Sequence, residues 1–301
     1  MAKQTIYVND AYIPYLQDQT RTQIFFGGSS SGKSFFLGQR TVMDVINGRN
    51  YLIVRKVASS IKRSVFNQIL KTIIDMGLED QFDIKQSDMI ITCRKNQKQI
   101  YFAGCDNIEK LKSITPINGV ITDVWIEEAT EIAEADYRQL KKRLRGKSDV
   151  PKRVTLSFNP ILKEHWIFKE FFKNWDETKT KYRDEALLIL KTTYKDNSFL
   201  ERDDIYDLEH EKDRYYYEVY TLGNWGALGK VIFKNWHVED LTDRIQSFDN
   251  IYNGLDFGFS SDPNALVRCH LDRKHKRIYI FEEMVQAGMH DDELAERLKA
   301  I

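Results

Sequence analysis

The sequence has 301 residues, of which 42% are apolar and 12% aromatic, so it can bury a sizeable core and has room for about two domains. The charges of the 45 basic and 45 acidic residues cancel, so the net charge does not indicate binding to nucleic acid or to a membrane. Any DNA contact must therefore depend on a local patch of charge. Three dispersed cysteines suit a reducing compartment, and no apolar run approaches the roughly 18 residues of a membrane helix, which predicts a cytoplasmic protein.

Apolar runs of strand length alternate with segments of helical period, which is typical of an α/β domain with a mostly parallel sheet. The predicted strands are 23–26, 51–55, 89–93, 99–104, 120–126, 153–158 and 186–194. The predicted helices are 33–46, 60–76, 129–145 and 163–173. Segment 199–222 is charged and tyrosine-rich, and the glycines of LGNWGALGK that follow it would break any helix. We therefore expect a domain boundary near residue 222.

The segment GGSSSGKS fits the phosphate-binding pattern G-x-x-x-x-G-K-[ST], between a predicted strand and a predicted helix. Its backbone N–H groups would surround phosphates, Lys33 would reach the β and γ phosphates, and the Ser34 hydroxyl would bind Mg²⁺. The predicted site residues are Gly27, Gly28, Ser29, Ser30, Ser31, Gly32, Lys33 and Ser34. A flexible serine-rich turn is the alternative. The flanking aromatic residues are interpreted as core packing; they are Phe25, Phe26, Phe35 and Phe36.

The segment VWIEEATEI offers two carboxylates at the end of an apolar strand, where α/β sheets place ligand-binding residues. Glu127 would position Mg²⁺ or its water, and Glu128 would be the general base for the water that attacks the γ phosphate. Alternatively, both are surface carboxylates at the start of the next helix. The guanine-binding motif Asn-Lys-x-Asp does not occur, so ATP is preferred over GTP.

The segment TLSFNP is a predicted strand that ends in polar residues. In motor ATPases a Ser or Thr and an Asn at this point can sense the γ phosphate and relay its loss, so Ser157 and Asn159 are candidates for coupling. A plain exit from strand to turn is the alternative.

Taken in order, these segments resemble the large terminase subunit of tailed bacteriophages, a family of DNA-packaging motors. The resemblance also rests on VRKVASSIKRSVFNQI, TTYKDNSFL, LGNWG and GLDFGFSSDPNAL, and it covers nearly the whole chain. It implies an ASCE-type P-loop ATPase domain followed by an RNase H-like nuclease. The implied cofactors are ATP and Mg²⁺, and the implied assembly is a homo-oligomeric ring on the portal protein with double-stranded DNA at its centre. The implied partners include the small terminase subunit. The resemblance implies no membrane partner. The implied location is the cytoplasm of the infected bacterial host and, transiently, the procapsid portal.

The resemblance divides the chain into an ATPase domain at 1–222, a linker and start of a second domain at 223–247, and the front of the nuclease at 248–301. It makes Asp256, at the end of a predicted strand, a ligand of the nuclease metal, Mg²⁺ or Mn²⁺; an Asp that caps the following turn is the alternative. Two more acidic residues are expected on later strands of this fold. The chain ends at Ile301 before them, so we expect this chain not to cleave DNA, although a longer protein should.

Some relatives carry an arginine inside the P-loop, but the variable positions here are glycine and serine. A neighbouring subunit would then supply the positive charge to the transition state. The candidates are Arg55, Lys112, Arg143 and Arg145, and a solvated basic surface is the alternative for the last two. The family also often places an adenine-reading glutamine upstream of the P-loop, which suggests Gln17 and Gln19; ordinary polar loop residues are the alternative.

Two other functions remain open from the sequence. A small-molecule P-loop kinase or nucleotide switch would need a substrate lid and would not need Asp256. A non-catalytic DNA-binding scaffold would carry the P-loop without using it.

Overall fold

The computed structural model describes residues 6–107, 111, 113–226, 238–258, 263–286, 288–289 and 291–299. Contacts between Cα atoms divide the chain into two compact units, Met1–Ile232 and Phe233–Ile301. The boundary expected near residue 222 stays a prediction, because residues 227–237, which follow it, lie outside the described residues.

The first unit contains the larger sheet and most of the helices. Its strands are β1 (Thr22–Gly27), β2 (Tyr51–Arg55), β3 (Phe82–Lys85), β4 (Ile90–Cys93), β5 (Gln99–Gly104), β6 (Asp123–Glu127), β7 (Arg153–Phe158), β8 (Lys181–Arg183) and β9 (Leu187–Thr192). Its α-helices are α1 (Lys33–Ile46), α2 (Ala58–Ile61), α3 (Asn67–Asp75), α4 (Glu134–Lys141), α5 (Trp166–Phe171), α6 (Arg202–Glu209) and α7 (Arg214–Tyr216). Its 3₁₀ turns are Asp10–Tyr15, Glu79–Gln81, Cys105–Asn107, Ala129–Glu131 and Tyr194–Asp196, and its π-helical turns are Lys62–Phe66 and Tyr217–Thr221.

The nine strands form one sheet among the described residues, in the order β3-β4-β5-β2-β6-β7-β1-β9-β8. The six strands from β5 to β9 in that order pair in parallel, whereas β3, β4 and β8 pair antiparallel at the edges. One strand, β7, separates β6 from β1. The carboxyl ends of β1, β6 and β7 therefore lie side by side at one edge of the sheet.

Apolar side chains cover both faces of this sheet. On one face, Phe25 of β1 and Ile53 of β2 belong to a buried cluster with Leu37 of α1 and Ile69 of α3. On the other face, neighbouring residues of the same strands, such as Ile24 and Phe26, pack in a second cluster that includes Leu140 of α4 and Ile167 of α5. Burial on both faces explains why the central strands are nearly continuous apolar runs in the sequence.

Most predicted elements of this unit are confirmed, and several bounds are wrong. The predicted strands at 51–55, 99–104 and 153–158 and the helix at 33–46 have the observed bounds. The predicted helix 129–145 is reduced to α4, because Glu128 has a positive φ of 53° and a 3₁₀ turn follows it. The predicted helix 60–76 contains the π-helical turn, and the predicted helix 163–173 is reduced to α5.

Two short edge strands, β3 and β8, were not predicted. Each has only three or four residues and carries charged side chains, so neither shows the apolar run that marks the central strands. Their pairing with β4 and β9 comes from the tertiary structure rather than from a local pattern.

The second unit is a small antiparallel sheet with a helix. Its strands are β10 (Ile251–Asp256), β11 (Asn264–Asp272) and β12 (Arg277–Gln286), its α-helix is α8 (Asp291–Lys299), and a 3₁₀ turn spans Ile245–Ser247. Leu266 and Met284 of the sheet pack with Leu294 of the helix in a buried cluster. The sequence predicts this order, with strands at YNGLDFGF, NALVRCHLD and KRIYIFEEMVQ and a helix at HDDELAERLKA.

Candidate functional site

The P-loop connects the end of β1 to the start of α1. Gly27 has a φ of 140°, and a Cβ atom at this position would lie 1.8 Å from the carbonyl oxygen of Thr192, so no larger residue fits. Gly32 precedes the helix with a φ of 83°. The loop thus leads directly into the N-terminus of a 14-residue helix, where backbone N–H groups and the helix dipole favour a phosphate.

A cavity of about 280 Å³ opens at this end of the sheet. Three elements line it: the P-loop with the start of α1, the end of β6, and the end of β7. The lining residues are Ser29, Ser30, Ser31, Gly32, Lys33, Ser34, Phe35, Glu127, Glu128, Ser157, Phe158 and Asn159. The structure therefore brings together the three segments in which the sequence predicts phosphate binding, metal binding and coupling.

Lys33 is buried and folds back onto the loop. Its Nζ donates to the carbonyl oxygen of Gly28 at 2.6 Å and to Ser31 Oγ at 3.0 Å. Burial lowers the pKa of Lys33 to about 8, and the nearby Glu128 and Glu127 oppose that shift. Hydrogen bonds from the Lys33 ammonium group to these neutral oxygens are weaker than bonds to an anion, so Lys33 can exchange them for bonds to a phosphate.

Ser34 and Glu127 lie 93 residues apart in sequence and meet in this cavity. The Ser34 hydroxyl donates to Glu127 Oε1 at 2.8 Å. Burial and the neighbouring Glu128 raise the pKa of Glu127 to about 7, although the Ser34 hydrogen bond opposes the shift. A buried carboxylate beside a serine hydroxyl is the pair of oxygen ligands expected for Mg²⁺ next to a P-loop.

Glu128 follows β6 in a left-handed conformation and is half-buried. Burial raises the pKa of Glu128, whereas Arg55 and Lys33 lower it. A non-glycine residue with positive φ is strained, and such residues are common at functional sites. The strained backbone places the carboxyl group in the cavity beside Glu127.

Ser157 and Asn159 lie at the end of β7 and line the cavity. Asn159 Nδ2 donates to the carbonyl oxygen of Gly27 at 2.9 Å. Ser157 Oγ accepts a hydrogen bond from Trp125 Nε1 at 2.8 Å. Asn159 therefore contacts the loop itself, whereas the side chain of Ser157 is bonded to β6.

Among the described residues suggested to supply positive charge, Arg55 is the one whose charge acts on the acidic pair. It ends β2, its Nε lies 3.9 Å from Glu131 Oε2, and its charge lowers the pKa of both Glu127 and Glu128. Arg143 instead donates to the carbonyl oxygen of Ile114 at 2.6 Å, and Arg145 is exposed. Lys112 lies outside the described residues.

The structure gives no support to the interpretation of Gln17 and Gln19, which stays a prediction, and it contradicts that of Phe35. Gln17 and Gln19 precede β1, at the opposite end of that strand from the P-loop, and Gln19 Nε2 donates to the carbonyl oxygen of Gln17 at 2.9 Å. Neither lines the cavity, so their placement gives no support to an adenine-reading role. Phe25, Phe26 and Phe36 are core residues as predicted, but Phe35 is 38% exposed and lines the cavity.

Asp256 lies in the second unit, as the last residue of β10, and is exposed. Among the residues that the structure describes, no group of three or more His, Cys, Asp or Glu side chains is placed to hold a metal ion. The role of Asp256 stays a prediction.

The sequence reasoning missed the residues that support the P-loop from behind. Tyr12 and Asn197 both donate hydrogen bonds to loop carbonyl groups. Asn197 belongs to the segment TTYKDNSFL, which carries the family resemblance but suggested no chemistry by itself.

The fold and the site define an ASCE-type P-loop domain, since one strand lies between the P-loop strand and the strand that carries the acidic pair. A family model described as phage terminase large subunit matches residues 19–224. This match covers more than half of the chain, so the chain belongs to the phage terminase large subunit family.

Individual relatives agree with this assignment. The large terminase subunit of Bacillus phage SPP1 is 27% identical over 299 residues, an alignment that covers 93% of this chain and 69% of that protein. The PBSX phage terminase large subunit of Bacillus subtilis (strain 168) is 27% identical over 314 residues, covering 97% and 71%. A solved large terminase from a thermophilic bacteriophage shares the fold, with a TM-score of 0.56 at 19% identity, covering 97% of this chain and 71% of that one. No helix in the described part of the chain is long and apolar enough to cross a membrane.

Proposed function

We propose that this chain binds ATP with Mg²⁺ at the P-loop and hydrolyses it to move double-stranded viral DNA into a procapsid. The hydrogen bond of 2.8 Å between Ser34 Oγ and Glu127 Oε1, beside Lys33 and Glu128, carries the proposal. It joins a P-loop to an acidic pair in one cavity. Family membership supports the packaging role, and the large terminase of the thermophilic bacteriophage has been solved in complex with ADP and with ATP-gamma-S.

The residues present fit a magnesium ion. A hydroxyl and a carboxylate are oxygen ligands of the kind Mg²⁺ prefers, and nucleotide phosphates would supply others. The raised pKa of Glu127 reflects a buried carboxyl group whose charged form a cation would favour. When bound, the ion would neutralise charge on the β and γ phosphates and hold them in place.

The remaining steps belong to this chain's own side chains. Lys33 would leave the loop carbonyl groups and bind the β and γ phosphates. Glu128 would accept the proton of the attacking water, and Arg55 and Lys33 favour the charged form that this role needs. Asn159, which contacts both the loop and the cavity, would respond to the loss of the γ phosphate.

ATP hydrolysis by the purified chain, with and without linear double-stranded DNA, tests the proposal. Lys33→Ala and Glu128→Ala are expected to lower the turnover rate by roughly 10² to 10⁴-fold, the range for a lost catalytic group. Lys163→Ala and Glu134→Ala are matched controls, because these side chains are 43% and 41% exposed and neither lines the cavity. Equal rates for the wild type and Lys33→Ala would refute ATP hydrolysis at this site. Phosphoryl transfer to a nucleotide or sugar would favour a small-molecule kinase.

We also propose that a neighbouring subunit in a homo-oligomeric ring completes the site, because the P-loop contains no arginine. Arg143 and Arg145 are the described candidates for this role, whereas Arg55 would act within its own subunit. The specific turnover rate should then rise with protein concentration. A rate per chain that is independent of concentration would contradict a shared site.

The family assignment leads us to propose the remaining partners. These are the portal protein of the procapsid, the small terminase subunit and double-stranded DNA, in the cytoplasm of an infected bacterial host and transiently at the portal. Co-purification of the chain with portal rings tests the first of these contacts.

For the second unit we propose the front part of an RNase H-like nuclease domain, in which Asp256 binds Mg²⁺ or Mn²⁺. Plasmid nicking with Mn²⁺ tests the role of Asp256. In a longer protein that contains this unit and cleaves DNA, Asp256→Ala is expected to abolish nicking. Asp249→Ala, at an exposed position before β10, should retain it. Nicking that survives Asp256→Ala would contradict the assignment.

A further inference from the structure

The P-loop needs partners for its carbonyl groups as well as for its N–H groups. When successive N–H groups turn toward a bound anion, the carbonyl groups point away from it, into the protein. A buried carbonyl group without a donor is costly, which applies to Ser31, whereas Ser30 lies at an exposed position. The loop also contains Ser30 with a φ of 56°, a conformation that a serine adopts only when its surroundings hold it there. Side chains behind the loop can therefore decide whether its shape is maintained.

Two side chains from distant segments donate to adjacent carbonyl groups of the loop. The Tyr12 hydroxyl donates to the carbonyl oxygen of Ser31 at 2.8 Å, and Asn197 Nδ2 donates to that of Ser30 at 2.7 Å. Tyr12 is fully buried and stacks on Phe36 with 4.6 Å between ring centroids. One donor precedes β1 and the other follows β9, so both are delivered by the fold of the whole unit.

The orientation of the Asn197 amide is determined by its neighbours. Its Oδ1 accepts hydrogen bonds from Asn9 Nδ2 at 3.1 Å and from the backbone N–H of Phe199 at 3.2 Å. Because the oxygen serves these two donors, the nitrogen must face Ser30. Asn9 is itself held, since its Oδ1 accepts the backbone N–H of Ser198 at 3.0 Å.

The direction of the Tyr12 hydrogen bonds follows from the same reasoning. Its hydroxyl lies 2.8 Å from both the Ser31 carbonyl oxygen and Thr192 Oγ1. A carbonyl oxygen can only accept, so Tyr12 donates to Ser31 and accepts from Thr192. Burial raises the pKa of the Tyr12 phenol, so it keeps its proton and remains a donor.

We infer that Tyr12 and Asn197 are positioning residues that hold the P-loop in its phosphate-binding shape before ATP arrives. This inference rests on the proposed ATP function and gives the TTYKDNSFL segment a role. The two residues touch the loop backbone rather than the cavity, so they act through the loop. A preformed loop binds the phosphates equally in the ground state and the transition state, so its loss should weaken ATP binding more than it slows turnover.

The test is the affinity for ATP with Mg²⁺, measured by calorimetry in a Glu128→Gln background, together with steady-state kinetics of the single variants. Tyr12→Phe and Asn197→Ala are each expected to raise the ATP Kd and KM about fivefold, the usual effect of one lost hydrogen bond, while kcat stays within about twofold. Tyr15→Phe and Lys195→Ala are matched controls. They alter the same two turns at positions with no contact to the loop carbonyls and are expected to bind ATP like the wild type.

Thermal unfolding separates a local effect from loss of the fold. Asn197 is only half-buried, so Asn197→Ala should fold even if Tyr12→Phe does not. Wild-type ATP affinity in a folded Asn197→Ala variant would overturn the inference, and so would a loss confined to kcat. If Lys33→Ala binds and hydrolyses ATP like the wild type, the proposed function fails instead.

Discussion

Both ends of the parallel sheet contain buried charged side chains, but the partners of these side chains differ between the two ends. At the amino end, Arg153 Nε contacts Asp123 Oδ1 at 2.6 Å, and Arg49 Nη1 contacts Asp123 Oδ2 at 3.0 Å. Arg153 also pairs with Asp44. At the carboxyl end, Glu127 and Glu128 form no ion pair within 4.0 Å among the described residues. Their charges are met by a serine hydroxyl and by more distant cations.

This difference separates a structural site from a binding site. The four charges of this amino-end network, those of Asp44, Asp123, Arg49 and Arg153, each have an opposite charge within 4.0 Å, so they do not need a ligand to neutralise them. At the carboxyl end, burial raises the pKa of Glu127 to about 7 and lowers that of Lys33 to about 8. Groups with such shifted pKa values are stabilised by a ligand of complementary charge, here a nucleotide with its metal ion.

The largest effect on stability is expected from breaking the amino-end network. Arg153→Met should lower the free energy of unfolding by about 3 to 5 kcal/mol, because Asp123 and Asp44 would remain buried without this partner. Urea denaturation measures the change. Arg94→Met is the control, since the Arg94–Asp83 pair is exposed and should contribute at most about 1 kcal/mol. A loss for Arg153→Met no larger than that of the control would remove the distinction between the two ends.

A smaller effect of opposite sign is expected at the carboxyl end. Because the pKa of Glu127 rises from 4.5 to about 7 on folding, the folded protein binds this proton more tightly, and its stability falls as pH rises from 4.5 to 7. Glu127→Gln removes the buried charge and keeps an acceptor for Ser34. It should therefore exceed the wild type in stability by up to about 3 kcal/mol at pH 8, and the gain should vanish near pH 4.5.

Unfolding of the nucleotide-free protein across this pH range measures that gain. Glu134→Gln serves as the control, because Glu134 forms only a partly exposed pair with Arg138 on α4. A Glu127→Gln variant that is less stable than the wild type at pH 8 would mean that this carboxylate is already well paired.

The smallest effect on stability is expected for Arg55, whose nearest ion-pair partner, Glu131 Oε2, lies 3.9 Å from its Nε atom. Its charge lowers the pKa of Glu128, so Arg55→Met should move the acidic limb of the kcat profile to higher pH. Stability should change by about 1 kcal/mol or less, because the nearest carboxylate oxygen is 3.9 Å away. The pH dependence of ATP turnover measures the shift, and an unchanged acidic limb would show that Arg55 does not act on Glu128.

Most of the central sheet could be predicted because its signals are local. Strands β2, β5 and β7 are apolar runs, and α1 starts at the lysine of the P-loop motif. Sequence patterns could not predict β3 and β8, because these short edge strands carry charged side chains and contain no apolar run. They also could not show that Phe35 turns outward while its neighbour Phe36 is buried, because that choice depends on how α1 packs on the sheet, where Phe36 contacts Tyr12 and Phe25.

By itself, the sequence determined the chemistry available at the site: a glycine-rich loop, a lysine, a serine and an acidic pair after an apolar strand. These are short motifs, and each functions through residues that are adjacent in the chain. Only the tertiary structure decided which motifs meet. Parallel pairing of β1 with β7 and of β7 with β6 brings Ser34 to Glu127 across 93 residues and Asn159 to Gly27 across 132. The hydrogen bonds from Tyr12 and Asn197 likewise exist only because strand order places both segments behind the loop.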